Sequence, residues 1–147
     1  MKADEIKTIA VDFDGTIVEH KYPAIGEEMV FAFATLKALQ EKGHRLILWT
    51  IREGELLQEA VEYCRENGIE FYAVNESYPG ERPEEGSSRK LMADIFIDDR
   101  NLGGFPGWPA VWQMLHPGSG DFKHVLKNAR AHYNKDKKKS IFRRFFR

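Results

Sequence analysis

The chain has 147 residues, 22 Lys and Arg against 23 Asp and Glu, 42% apolar residues and a single cysteine. That is room for one core, too apolar for a disordered chain, and without the run of about 20 apolar residues that a membrane helix needs. The opening stretch MKADEIKTIAVDFDGTIVEH puts acids where a secretory signal has a basic and then a long apolar segment, and Cys64 alone forms no internal disulfide. A soluble, cytoplasmic, single-domain protein is expected.

Charge is uneven along the chain. Residues 135–147 hold seven Lys and Arg against one Asp, a net +6, which leaves −7 for residues 1–134. The chain therefore divides into an acidic body, 1–134, and a basic, aromatic tail, 135–147.

In chain order, the β-branched run Ile6–Val11 predicts a first strand, and Met29, Phe33, Leu36 and Leu39 predict a helix between Ile25 and Lys42 that stops at Gly43. Arg45–Trp49 reads as a second strand. Glu53 to Asn67 carries Leu57, Ala60, Val61 and Cys64 on one helical face, with Gly68 as its stop. Ile69–Val74 predicts a third strand, the Pro-, Gly-, Ser- and Glu-rich 75–88 a loop, and Ala93–Ile97 a fourth strand. Pro109 suits the first turn of a helix running through Leu115. Strand–helix alternation with short connections predicts an α/β fold, a doubly wound Rossmann-like parallel sheet with helices on both faces. Ligands of such sheets sit beyond the carboxyl ends of the strands.

Acids stand at those ends. The first strand runs into Asp12-Phe13-Asp14-Gly15-Thr16, and an i,i+2 pair on extended chain points to one side. Gly15 lets the backbone turn and approach a ligand closely. The fourth strand ends in Asp98-Asp99-Arg100-Asn101. Four carboxylates at neighbouring strand ends repel unless a cation sits among them, and hard oxygen ligands in a small incomplete set suit Mg²⁺. Thr50, Arg52 and Lys90 add a hydroxyl and two positive charges, which together describe a phosphate site. A carboxylate can act there as nucleophile through an aspartyl-phosphate.

DFDGT at 12–16, LWTIR at 48–52, Lys90 and IDDRN at 97–101 occur in the order of the four motifs of the haloacid dehalogenase-like (HAD) phosphohydrolases, which the chain resembles over about residues 6–115. The resemblance implies a Mg²⁺-dependent phosphatase. It makes Asp12 the nucleophile and a metal ligand, and Asp14 the general acid/base with its backbone carbonyl on the metal. Thr50 and Lys90 would hold the phosphoryl group, with Lys90 also balancing the charge of Asp12. One of Asp98 and Asp99 would bind Mg²⁺ directly, Asp99 being favoured, and the other through water or Lys90. Residues 17–45 and 51–89 are too short for an inserted cap domain, so a capless member with an open site for a small or macromolecular phosphoester is expected. The DDRN segment with Trp112 downstream is also similar to the phosphatase half of polynucleotide kinase-phosphatases, a hint about substrate only.

Several residues read more plainly. Arg52 either binds substrate or pairs with Glu53 or Glu55, and His20 and Tyr22, in the loop after the first motif, either line the open site or, the favoured reading, are exposed loop residues. His44, His116, His124 and His132 show no ligand spacing, and Cys64, Trp49, Trp108 and Trp112 read as packing. As a helix, the tail gathers Ile141, Phe142, Phe145 and Phe146 opposite its basic residues, a form suited to nucleic acid, an anionic membrane or an acidic surface, and equally to folding back on the chain's own acidic body or on a second copy. The alternatives to a phosphatase are a module that binds phosphate without turnover and a phosphotransferase or phosphomutase; an open site argues against the last, which must exclude water.

Overall fold

The computed structural model describes residues 5–82, 90–118, 122–123 and 126–127. Four short strands, β1 (Thr8–Val11), β2 (Arg45–Leu48), β3 (Ala73–Val74) and β4 (Ile95–Ile97), alternate with α1 (Ala32–Glu41), α2 (Gly54–Glu66) and, after β4, α3 (Trp108–Leu115). All pairings are parallel and the strand order is β3-β2-β1-β4, with Val11 opposite Leu48 on one side and Ile97 on the other. The expected α/β parallel sheet is present. The basic tail, with its expected helix and partners, lies outside the described residues. Among the described residues no helix is long and apolar enough to cross a membrane.

Alternation along each strand sorts the side chains into two layers. Ile9, Val11, Leu46, Leu48 and Ile97 join the buried residues of α1, α2 and α3 in one core. Ala10, Ile47 and Ala73 face the other way and pack with Leu91, flanked by Trp49, Ala93 and Phe96. Among the described residues the three helices thus lie on one face, where helices on both faces are expected. The handedness of parallel crossovers explains the first two: β1 to β2 to β3 steps in one direction, so α1 and α2 share a face. On the opposite face, Leu91, shortly before β4, packs on Ala10, Ile47 and Ala73.

Both glycine stops are realised. Gly43 and Gly68 take φ of 92° and 85°. In each case paired bonds close the helix: Gly43 N–H to Gln40 O with His44 N–H to Leu39 O, and Gly68 N–H to Arg65 O with Ile69 N–H to Cys64 O. Cys64 is buried as expected, and burial pushes its thiol up to about 12, which keeps it protonated.

The start of the first helix differs from expectation by seven residues, at Ala32 rather than Ile25. The segment before it is taken by pairing with the loop after β1. Met29 N–H bonds Ile17 O, Glu19 N–H bonds Glu27 O, and Phe31 adopts a left-handed φ of 65° that no helix interior tolerates. The Glu28 carboxylate then accepts from Phe33 N–H at 3.0 Å and caps the new helix start. Ile25 and Met29 still pack against the core, so their apolar character was read correctly and their conformation was not.

Two histidines far apart in sequence meet in the interior. His44 Nδ1 accepts from the Lys7 N–H at 3.0 Å, so its own proton sits on Nε2 and is donated to His116 Nε2 at 3.1 Å. This bond ties the end of α3 to the start of β2. Burial, with the nearby charges of His116 and Lys7, holds His44 below the usual histidine range.

Candidate functional site

The strand order reverses at β1, with β2 on one side and β4 on the other. The crevice of an open parallel sheet forms at such a reversal, beyond the carboxyl ends. Asp12 follows β1 directly and is fixed there by its N–H to Ile97 O at 3.0 Å. Asp98 and Asp99 follow β4. One carboxylate oxygen from each of the three lies within 4.8 Å of the others, and each residue is half-buried.

Asp12, partly desolvated and close to two other acids, resists ionisation. Burial, then the charge of Asp98, then the charge of Asp99 and a hydrogen bond with it, push Asp12 up to about 7, against the opposing pull of Thr16. Thr16 donates its hydroxyl to Asp12 Oδ2 at 3.1 Å. Asp98 Oδ1 accepts from Arg100 N–H at 3.0 Å, which sets the turn after β4. These three carboxylates are the group that could hold a cation.

Gly15 contributes in a way that differs from the expected ligand contact. Its φ is +88°, and a Cβ there would overlap Oδ2 and Cγ of Asp99. The missing side chain lets the loop after β1 close against the loop after β4. Gly15→Ala is expected to displace Asp99 and to cost at least the 1–2 kcal/mol or so of a left-handed non-glycine residue, read as a lowered urea midpoint.

Asp14 does not join the cluster with its side chain. Its carboxylate is buried and held in a fork by Arg52, with Nε to Oδ2 at 2.8 Å and Nη2 to Oδ1 at 2.7 Å. Arg52 is fully buried, donates also to Pro23 O at 3.1 Å and Ala24 O at 2.9 Å, and lies between the rings of Phe13 and Tyr22 at 5.0 and 5.3 Å. Neither expected role for Arg52 is found. It pairs with neither Glu53 nor Glu55, and four of its five N–H donors are engaged within the protein rather than offered to a substrate. The hydrogen bonds to Asp14 hold the guanidinium above its ordinary value.

Lys90 is also placed otherwise than expected. Its ammonium lies 5.3 Å from the centre of the Phe96 ring, in a groove of about 450 Å³ shared with Thr8, Ala93 and Asp94. Thr8 opens β1 and Asp94 precedes β4, so this groove borders the amino ends of the strands. The exposed Lys90 side chain rests on the Phe96 ring instead of reaching the carboxylates. Thr50, by contrast, lies two residues beyond the end of β2, the strand beside β1. Its N–H donates to Asn75 Oδ1 at 2.8 Å and its hydroxyl accepts from Arg52 N–H at 3.1 Å.

Thr16, Asn75 and Trp108 were missed as positioning residues. Asn75 holds the loop after β2 from a left-handed φ of 52°, for which an Asn just beyond a strand was the available sign. Trp108, read as packing, also donates its indole N–H to Thr16 O at 2.9 Å and so fastens the loop after β1 to α3. Nothing local in the sequence pairs residues 92 positions apart.

No family model and no curated protein matches the chain. A solved structure does: that of a conserved protein from Bacteroides thetaiotaomicron is similar at 63% identity and a TM-score of 0.71, over 76% of this chain and 90% of that one. At that identity and coverage the chain belongs to the family of this conserved Bacteroides thetaiotaomicron protein.

Proposed function

We propose that the protein is a phosphohydrolase of the HAD-like type, doubly wound and capless, that uses Mg²⁺ and acts through an aspartyl-phosphate on Asp12. One observation carries the reading: Asp12, Asp98 and Asp99 converge at the ends of two adjacent parallel strands, where the strand order reverses. Three hard oxygen donors fit Mg²⁺, whose remaining coordination positions go to water and a phosphate oxygen, and which would supply positive charge to the phosphoryl group. An Asp12 carboxylate oxygen attacks phosphorus, the bond from phosphorus to the ester oxygen breaks, and the departing oxygen takes a proton. Water then attacks the same phosphorus, releasing phosphate and restoring the carboxylate. Thr16 orients Asp12, and Thr50 is the hydroxyl available to a phosphoryl oxygen.

The proton carrier in this reading is Asp14, which must part from Arg52 to serve. That pairing is the observation favouring a second reading, a module that binds phosphate without turnover. Asp14→Asn with phosphate binding measured beside turnover separates the two. A working acid/base gives a loss on the order of 10²–10⁴-fold in kcat, whereas in a binding module the wild-type chain already hydrolyses no ester while it binds phosphate.

The deciding experiment is a panel of phosphate esters with Mg²⁺ present, chelated or replaced by Ca²⁺. Turnover is expected with Mg²⁺ alone, because Ca²⁺ prefers more ligands at longer distance. Full turnover in excess chelator would remove the reading. A second result follows from Asp12. Its folded value of about 7 lies above its ordinary 3.8, so the proton it holds stabilises the cation-free protein at low pH, and that contribution is lost as pH rises through 7. A cation needs the ionised form, so Mg²⁺ should raise the Tm clearly at pH 8 and little at pH 5.5. Equal gains at both pH values would count against a cation among these carboxylates.

A further inference from the structure

We infer that the site takes a phosphomonoester whose organic group is apolar, held at the rim by Tyr22, Ile51 and Leu102. The inference rests on the phosphohydrolase reading for the phosphate end alone. Three loops leave the ends of the three strands around Asp12, and each carries a large apolar side chain turned out to solvent. Tyr22, in the loop after β1, is 42% exposed, Ile51, after β2, is 74% exposed, and Leu102, after β4, is wholly exposed.

Single exposed apolar residues need no explanation, but this set has a common address. Ile51 stands between Thr50 and Arg52. Leu102 comes three residues after Asp99 in the turn set by Asp98. The Tyr22 ring lies over the Arg52 guanidinium that grips Asp14, which places it beside the site rather than in a remote loop. β2, β1 and β4 are adjacent in the sheet, so the loops carrying Ile51 and Leu102 flank Asp12 from its two sides. Ile51 and Leu102 belong to neither buried cluster, so the fold gains little from their apolar character, and Tyr22 covers Arg52 with part of its ring while leaving 42% of its surface open. The buried cation of this end, Arg52, is already engaged, and a strongly polar organic group would find it committed to Asp14 and to two carbonyls.

The test uses the full chain with Mg²⁺ and a series of alkylphosphonates (methyl, butyl, phenethyl) that cannot be hydrolysed, measured by calorimetry. Affinity should rise along the series by up to about fourfold per methylene taken out of water. Ile51→Ser and Leu102→Ser, both at exposed loop positions, should flatten that rise. Equal affinity along the series, or no binding of any member, overturns the inference, as does an unchanged rise in both variants. The matching esters, ethyl, butyl and phenethyl phosphate, have leaving groups of similar basicity, so their turnover reports separately on the phosphohydrolase reading. Turnover of all three with a flat phosphonate series sinks the inference and keeps the reading. A rising phosphonate series without turnover sinks the reading and keeps the apolar rim.

Discussion

Asp12→Asn is expected to abolish turnover of every phosphate ester the protein accepts, with a loss on the order of 10⁶-fold as when a nucleophile is removed from other hydrolytic sites. An amide oxygen neither attacks phosphorus nor leaves a stable acyl-phosphate, and it carries no charge for a cation. The fold should stand and even gain. Asp12 is pushed up by burial and by the charges of Asp98 and Asp99, so removing its charge relieves a repulsion that the cation-free protein carries at pH 8. The variant should therefore melt at or above the wild-type Tm in chelator and lose the increase given by Mg²⁺. Substantial activity in a variant of unchanged fold would rule Asp12 out as the nucleophile.

Arg52→Ala is the substitution with the largest expected cost to stability. It strands the buried Asp14 carboxylate and leaves Pro23 O and Ala24 O without their donor. Breaking a buried pair in this way costs about 3–5 kcal/mol, a large share of the stability of a domain this size. Arg52→Lys should recover little, since one ammonium cannot reproduce a fork to two carboxylate oxygens together with bonds to two carbonyls. Asp14→Asn combined with Arg52→Ala should cost less than the sum of the two, because an amide without its partner is cheaper to bury than a charge. Urea denaturation of the four proteins measures this directly. A loss below about 1 kcal/mol for Arg52→Ala would mean that the pair is not closed in solution.

What could be read from the sequence were features set by neighbours along the chain. The four strands (the third only as Ala73–Val74 of the expected Ile69–Val74), the apolar face of Leu57, Ala60, Val61 and Cys64, and the helix stops at Gly43 and Gly68 depend on short-range periodicity and on a backbone that only glycine adopts easily. The placing of Asp12 with Asp98 and Asp99 was legible too, because carboxyl ends of adjacent parallel strands must lie together. What needed the tertiary structure were choices between competing partners. Asp14 had two possible neighbours, the cluster and a guanidinium. Burial decided for Arg52, since a fully desolvated pair must satisfy its charges on the spot. Residues 25–31 had helical periodicity, yet pairing with residues 17–19 offered their backbone groups a nearer set of bonds. Lys90 was assigned to the crevice from its place before the fourth strand, but a long exposed side chain goes where a nearby surface receives it, here the ring of Phe96. Spacing along a chain determines which groups are brought near one another; the cost of leaving a buried group unpaired determines which of them bond.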